Sequence, residues 1–257
     1  MTVSEGTVIV TGATRGIGRA TVEAILARGG RVVAIACDQE ALRELNASEP
    51  DRIRALSVDL EDAARVVEAA QHAIDAFGSV DGLVNCAGVA RYEPVGAIGL
   101  ESIEAQLRVN LVAPLLLSQA IAGHLRDRGG SIVNVSSTLS EHVAPQTVVY
   151  AATKAALNAL TKGLALELAG AGVRVNAVLP GGVETDMLRT PRTRPGEALD
   201  PEELEARVES RLATLATLHP LGRLGTPEEV AAVIVGVLDQ TWQTGSLVTI
   251  DGGLSLA

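Results

Sequence analysis

The sequence predicts an α/β protein: a doubly wound parallel sheet of about seven strands, with helices on both faces, in a single domain spanning 1–257. Three observations predict it. Short β-branched runs alternate with longer Ala/Leu-rich stretches along the chain, the order that strand–helix–strand units produce. The runs VVAIA, IVNV and VRVNAVL are almost continuously apolar, as strands covered on both sides must be. Glycines punctuate the helical stretches at Gly29-Gly30, Gly78, Gly129-Gly130 and Gly170.

The first strand is expected at 7–10, a β-branched run of Thr7, Val8, Ile9 and Val10. A helix follows at 19–28, and Arg31–Ala36 is the second strand. Residues 40–45 read as helical, 55–58 as the third strand, and Ala63–Phe77 as an Ala-rich helix stopped by Gly78. Gly82–Asn85 is the fourth strand. A long helix is expected over 100–127, then a fifth strand at 131–136. Residues 150–169 form a helix, and 173–179 a sixth strand closed by Pro180. Thr226 as N-cap and Pro227 at the first helical position open a helix over 227–238, and Leu247–Ile250 is the seventh strand. One stretch is irregular. Residues 186–218 carry Pro191, Pro195 and Gly196, then an acidic helix from Pro201. A long segment after the sixth strand of such a sheet reads as a substrate lid.

Composition narrows the function. The 257 residues are 47% hydrophobic with a mean hydropathy of +0.27, enough to build a large core and too apolar for disorder. No run of about 18 uninterrupted apolar residues exists; the richest, 111–122, contains Pro114, Ser118 and Gln119, so no membrane partner is expected. The N-terminus has no basic segment ahead of an apolar one and reads as a first strand, not a signal peptide. A net charge of −10 argues against a nucleic-acid partner. Cys37 and Cys86 lie far apart, which suits a reducing, cytoplasmic setting. His72, His124, His142 and His219 form no ligand cluster, so no metal is expected.

Two motifs carry chemistry. Thr11-Gly12-Ala13-Thr14-Arg15-Gly16-Ile17-Gly18 falls between the first strand and the first helix. Glycines there permit a tight turn and let backbone approach a pyrophosphate, while the helix N-terminus offers unpaired N–H groups. Tyr150 and Lys154 are four apart on a helix, hence on one face. An ammonium beside a phenol favours the phenolate, which makes the pair suited to proton exchange. The chain has only two tyrosines, the other being Tyr92, and only two lysines, the other being Lys162, so chance explains this pairing poorly.

Taken with Val58-Asp59-Leu60, Asn85-Cys86-Ala87-Gly88, Asn110, Ser136-Ser137, Pro180-Gly181-Gly182-Val183-Glu184-Thr185 and Asp251-Gly252-Gly253, these motifs resemble the short-chain dehydrogenase/reductase family over almost the whole chain. The resemblance implies a Rossmann-type sheet and an NAD(P)-dependent oxidoreductase that moves a hydride between the nicotinamide and a carbonyl or secondary alcohol. It implies that Gly12, Thr14, Gly16, Ile17 and Gly18 cradle the pyrophosphate and that Asp59 and Leu60 contact the adenine. Asn85, Ala87 and Gly88 line the cofactor cleft, with Cys86 where the family usually has Asn. Asn110 holds a water through a kink in its helix, Ser137 bonds the substrate oxygen, and Tyr150 is the general acid/base. Lys154 binds the nicotinamide ribose and lowers the Tyr150 pKa. Pro180, Gly181 and Val183 border the nicotinamide, and Thr185 meets the phosphates.

The second strand ends in Ala36 and Cys37, where the family's acidic and basic cofactor-selecting residues are expected. Asp38 is positioned to reach the ribose if the strand ends late, and Arg15 sits where a basic residue accompanies NADP. The expectation is NADP or NAD, with a slight preference for NADP. The competing reading is a non-catalytic NAD(P)-binding regulator on the same fold. Helices 100–127 and 150–169 carry apolar residues on more than one face, and family members are usually tetramers or dimers built on them, so a homo-oligomer is expected. The substrate, a small-molecule alcohol or carbonyl compound, is not legible.

Overall fold

A computed structural model describes residues 6–126, 129–192, 197 and 200–256. Asp127, at the end of the expected long helix, and residues 193–196, 198 and 199 of the expected lid lie outside them. Among the described residues seven strands form one parallel sheet: β1 (Thr7–Thr11), β2 (Arg31–Ala36), β3 (Ile53–Ser57), β4 (Gly82–Asn85), β5 (Ser131–Val135), β6 (Arg174–Pro180) and β7 (Leu247–Ile250). The spatial order is β3-β2-β1-β4-β5-β6-β7. The chain therefore winds outward from β1 in one direction, then returns and winds outward in the other. The reversal falls between β1 and β4, and a crevice opens there beyond the strands' C-terminal ends.

Alternation along the strands feeds two cores. Val8 and Val10 point to one face, where they join Val22 and Ile25 of α1 (Gly16–Ala27), Leu42 and Leu45 of α2 (Gln39–Ser48) and, from further along the chain, Val230 and Ile234. Ile9 points to the other, with Val66 and Ile74 of α3 (Ala63–Phe77) and, from later helices, Ile121 and Leu168. Both faces being covered is why the strands read as unbroken apolar runs. Local signals set the helix ends. Asp62 accepts from the Ala64 and Arg65 N–H groups at the start of α3, and Gly78, at φ +72°, closes it.

The expected 100–127 helix is three pieces: α4 (Leu100–Leu107), a π turn at Arg108–Val112 and α5 (Ala113–Arg126). The π turn is the kink that the resemblance implied, and it holds Asn110. By length and composition Leu100–Leu125 is apolar enough to cross a membrane, but half of its most apolar window is buried, with Leu117, Ile121 and Leu125 packed in the second core. α6 (Val148–Leu168) precedes β6. In the 186–218 region the expected acidic helix is α8 (Pro201–Leu218), capped by Asp200, and a short α7 (Asp186–Arg189) precedes it. α9 (Pro227–Asp239) opens with the predicted Thr226 cap, and Glu229 completes a reciprocal capping box.

Close backbone contact fixes the sheet's reversal. The Thr11 hydroxyl accepts from the Cys86 and Ala87 N–H groups, both at 3.0 Å, tying the end of β1 to the end of β4. Gly12, at φ +66°, runs so near that a Cβ would stand 2.9 Å from the Ala87 Cα. A Cβ on Gly18 would fall onto the Gly12 carbonyl, so the turn closes on itself only with glycine. Gly18→Ala should accordingly lose about 1–3 kcal/mol in a urea melt, the usual cost of overpacking. Gly123→Ala, with open space around it in α5, should gain roughly 0.5–1 kcal/mol. Equal midpoints for the two variants would contradict this account of the turn.

Candidate active site

The residues singled out in the sequence gather at the C-terminal ends of β1, β4, β5 and β6. Gly12, Thr14, Arg15, Gly16, Ile17 and Gly18 form the β1–α1 turn and the first turn of α1. A Cβ on Gly16 would stand 3.2 Å from Thr185 Cγ2, so this turn lies directly under the segment leaving β6. A Cβ on Gly88 would meet Asn110 Oδ1 at 3.4 Å, the Lys154 Nζ at 3.5 Å and the Met187 Cε at 3.9 Å. The floor of the crevice is therefore backbone.

Asn85 is 2% exposed and donates to Asn134 Oδ1 at 2.8 Å; Asn134 donates on to the Thr161 hydroxyl of α6 at 2.9 Å. The Asn85 Oδ1 has no partner among the described residues. A glycine cradle at a helix N-terminus and an unspent buried acceptor beside it fit a bound dinucleotide.

Four buried side chains meet beside that floor. Asn110 is fully buried; its amide donates to the Val89 carbonyl and to the Thr153 hydroxyl, and its oxygen accepts from the Val89 N–H. Lys154 donates to the Val135 carbonyl at 2.8 Å, and Ser136 donates back to the Lys154 carbonyl at 3.2 Å, locking α6 to the end of β5. Ser137 follows β5, its hydroxyl accepting from the Leu139 N–H and lying close enough to the Tyr150 phenol to bear on its pKa.

The electrostatics correct one expectation. Lys154 does not pull the Tyr150 phenol below its ordinary pKa. Burial pushes that pKa well up, the Tyr92 phenol pushes the same way, and the Ser137 hydroxyl opposes them. The Lys154 ammonium is spent on a carbonyl and lies 5.7 Å from the Tyr150 ring centroid. Its own pKa is brought down to about 8 by burial, which the neighbouring Cys86 opposes. Burial raises the Cys86 thiol to about 12, against Lys154, so this cysteine is a poor nucleophile.

The outer residues are placed less decisively. β2 ends at Ala36, and Asp38 caps α2, one oxygen accepting from the Glu40 and Ala41 N–H groups at 3.1 Å each. Asp59 accepts from the Glu61 N–H at 3.0 Å, and Leu60 packs on the second core. Arg15 is exposed, with no ion pair among the described residues. Pro180, Gly181 and Val183 leave β6, where a Cβ on Gly181 would stand 2.8 Å from the Asp251 Cβ; that contact gives the Asp251-Gly252-Gly253 motif its place.

Sequence reasoning missed His219. It is 2% exposed, its Nε2 accepts from the Gly182 N–H at 3.1 Å, and its Nδ1 lies 2.8 Å from the Leu215 carbonyl. The ring thus joins the end of α8 to the segment after β6. An isolated histidine in a sequence carries no sign of such a partner. The bonds that the Thr11 hydroxyl accepts from the Cys86 and Ala87 N–H groups were not legible for the same reason.

A family model described as short chain dehydrogenase matches residues 6–195. L-xylulose reductase of Homo sapiens is 39% identical over 250 residues, covering 96% of this chain and 95% of that protein. A 3-oxoacyl (acyl-carrier-protein) reductase of Thermotoga maritima is 35% identical over 252 residues, covering 96% of each. The solved structure of an aldohexose dehydrogenase from Thermoplasma acidophilum superposes with a TM-score of 0.86 at 28% identity, covering 99% of this chain and 96% of that one. With the sheet, the glycine turn and the buried Ser137, Tyr150 and Lys154 in place, the chain belongs to the short chain dehydrogenase family and is an NAD(P)-dependent oxidoreductase of carbonyl or alcohol groups.

Proposed function

We propose that Tyr150 is the proton-transferring group of this oxidoreductase. The observation that carries the reading is the placement of the buried Ser137 hydroxyl beside the buried Tyr150 phenol, close enough to act on its pKa, in a corner next to the backbone-floored crevice. Burial keeps the phenol protonated at neutral pH, the form that donates to a substrate oxygen during carbonyl reduction. In the reverse direction the same oxygen receives the alcohol proton. Ser137 holds the substrate oxygen in line and stabilises negative charge developing on it. Lys154, fixed by Val135, orients the ribose beside the reacting carbon, and Asn110 steadies the Val89 backbone at the mouth of the site. The bound nicotinamide supplies or accepts the hydride. A regulator without turnover would have no use for this buried acid and its partner.

The same reading extends outward. Asp59 and Leu60 border the adenine, Asn85, Ala87 and Gly88 the cleft, and Pro180, Gly181, Val183 and Thr185 the nicotinamide and phosphates. The chain works as one domain whose 186–218 segment covers the substrate, in the cytoplasm. NADP is modestly preferred, because Arg15 is exposed and uncommitted while Asp38 already serves α2. Leu107, Val112, Leu115 and Leu166 stay more than a third exposed on α4, the π turn, α5 and α6, which supports a homo-oligomer, tetramer or dimer, assembled on those helices.

Three measurements check this. Tyr150→Phe should keep dinucleotide binding and lose about 10²–10⁴-fold in turnover; near-normal turnover would sink the acid/base role. Arg15→Ala should remove most of the NADP preference, roughly one to two decades in affinity for a single charge-assisted bond to phosphate, and leave NAD affinity nearly unchanged. A clear NAD preference abolished by Asp38→Ala would show the carboxylate to be the selector instead. Light scattering at micromolar concentration should give a mass of at least twice 26.5 kDa, and a stable monomer would refute the assembly.

A further inference from the structure

Three groups near Tyr150 are not used by proton transfer: Tyr92, on the segment between β4 and α4, and Arg192 and Arg211 of the 186–218 region. Tyr92 is close enough to Tyr150 for its phenol to raise the pKa of that group. The guanidinium carbon of Arg192 lies 3.5 Å from the centroid of the Tyr92 ring. Arg211, on α8, donates through one nitrogen to the Leu188 and Thr190 carbonyls at 2.5 and 3.1 Å, holding the end of α7.

Both guanidiniums carry a buried donor with nothing to bond. The Nε of Arg192 and the Nε of Arg211 are out of solvent and have no partner among the described residues. Neither has a carboxylate within salt-bridge reach there. Three acids of this region are paired with other arginines: Glu209 and Glu205 lie 2.6 and 3.8 Å from Arg189, and Glu197 lies 2.8 Å from Arg207. Arg192 lies near Arg211, which is held below the usual guanidinium range by burial and by that neighbour. Two partly desolvated like charges with unspent donors are a favourable place for an anion, which would fill the donors and offset the repulsion. The chain has a net charge of −10, yet none of the described carboxylates lies within ion-pair distance of either one.

We propose that Arg192, stacked on Tyr92 and backed by Arg211, is the docking point for an anionic group on the substrate. The substrate class is then a ketone or secondary alcohol that also carries a carboxylate or a phosphate. The anion sits at the lid while the carbonyl oxygen faces Ser137 and Tyr150. Arg192 is the binding residue; Arg211 adds charge and positions the backbone of α7. The inference rests on the reading of Tyr150 as the proton-transferring group.

The test compares matched probes: acetoacetate against its methyl ester, and dihydroxyacetone phosphate against dihydroxyacetone. The charged member of at least one pair should be preferred about tenfold or more in kcat/KM, the scale of one charge-assisted contact. Which pair responds tells carboxylate from phosphate. Arg192→Gln should raise KM for that charged member about tenfold and bring the charged-to-uncharged ratio toward one. A turnover-free arm titrates acetoacetate and inorganic phosphate by calorimetry into protein saturated with oxidised dinucleotide, so that the glycine cradle is filled. Wild-type protein should bind one of them about tenfold more tightly than Arg192→Gln, whose fold is checked by circular dichroism. Equal use of charged and uncharged probes, or equal anion affinity in the two proteins, overturns the proposal. If no probe turns over, the calorimetric arm decides. Turnover retained in Tyr150→Phe with anion preference intact would fail the acid/base role alone; turnover lost in that variant with no anion preference in wild type would fail the anion site alone.

Discussion

Everything at the active site depends on how near the end of β1 lies to the end of β4. The Thr11 hydroxyl spans that gap with two backbone N–H groups, and Gly12 makes it narrow enough to span. From this junction the glycine turn is aimed at the crevice, Ala87 and Gly88 become its floor, and α1 begins where its N–H groups face inward. In a doubly wound sheet the reversal of strand order leaves an opening by topology alone. Here one hydroxyl and one glycine turn that opening into a surface with a defined shape.

The catalytic side chains are held from behind by a different device. β5 ends in residues whose carbonyl and hydroxyl groups are spent on α6: Val135 accepts from Lys154, Ser136 bonds the Lys154 carbonyl, and Asn134 reaches Thr161. These bonds are buried, so each is costly to leave unmade. The cost ties the rotation of α6 about its own axis to the sheet, and Tyr150 on that helix is thereby set against Ser137. Asn110 performs the same service for the Val89 segment from its π turn.

Much of this was legible in the chain. The βα order, the two-sided burial of the strands and the glycine turn all follow from residue types at short spacing, and short spacing is what periodicity reads. The pairing of Tyr150 with Lys154 was legible for the same reason. The pKa of Tyr150 was not. Its value depends on burial and on Tyr92, 58 positions earlier in the chain and brought near only by folding. His219 and Gly182 meet although they are 37 positions apart, and neither residue type announces the other. Nothing in the sequence separates Arg192 and Arg211 from Arg189 and Arg207, which folding pairs with Glu209 and Glu197.

The floor and the lid differ in what mutation can do to them. Where Gly12, Gly16 and Gly18 line the crevice there is no side chain to exchange, so any substitution adds atoms to a space that backbone, or at Gly16 the Thr185 side chain, already fills. Change there is one-directional and damaging. Around Tyr92, Arg192 and Arg211 the surface is made of long side chains on segments outside the sheet, and substitutions can shrink, swap or discharge them without moving a strand. Descendants of this chain are therefore free to acquire new substrates while their means of holding the dinucleotide stays fixed.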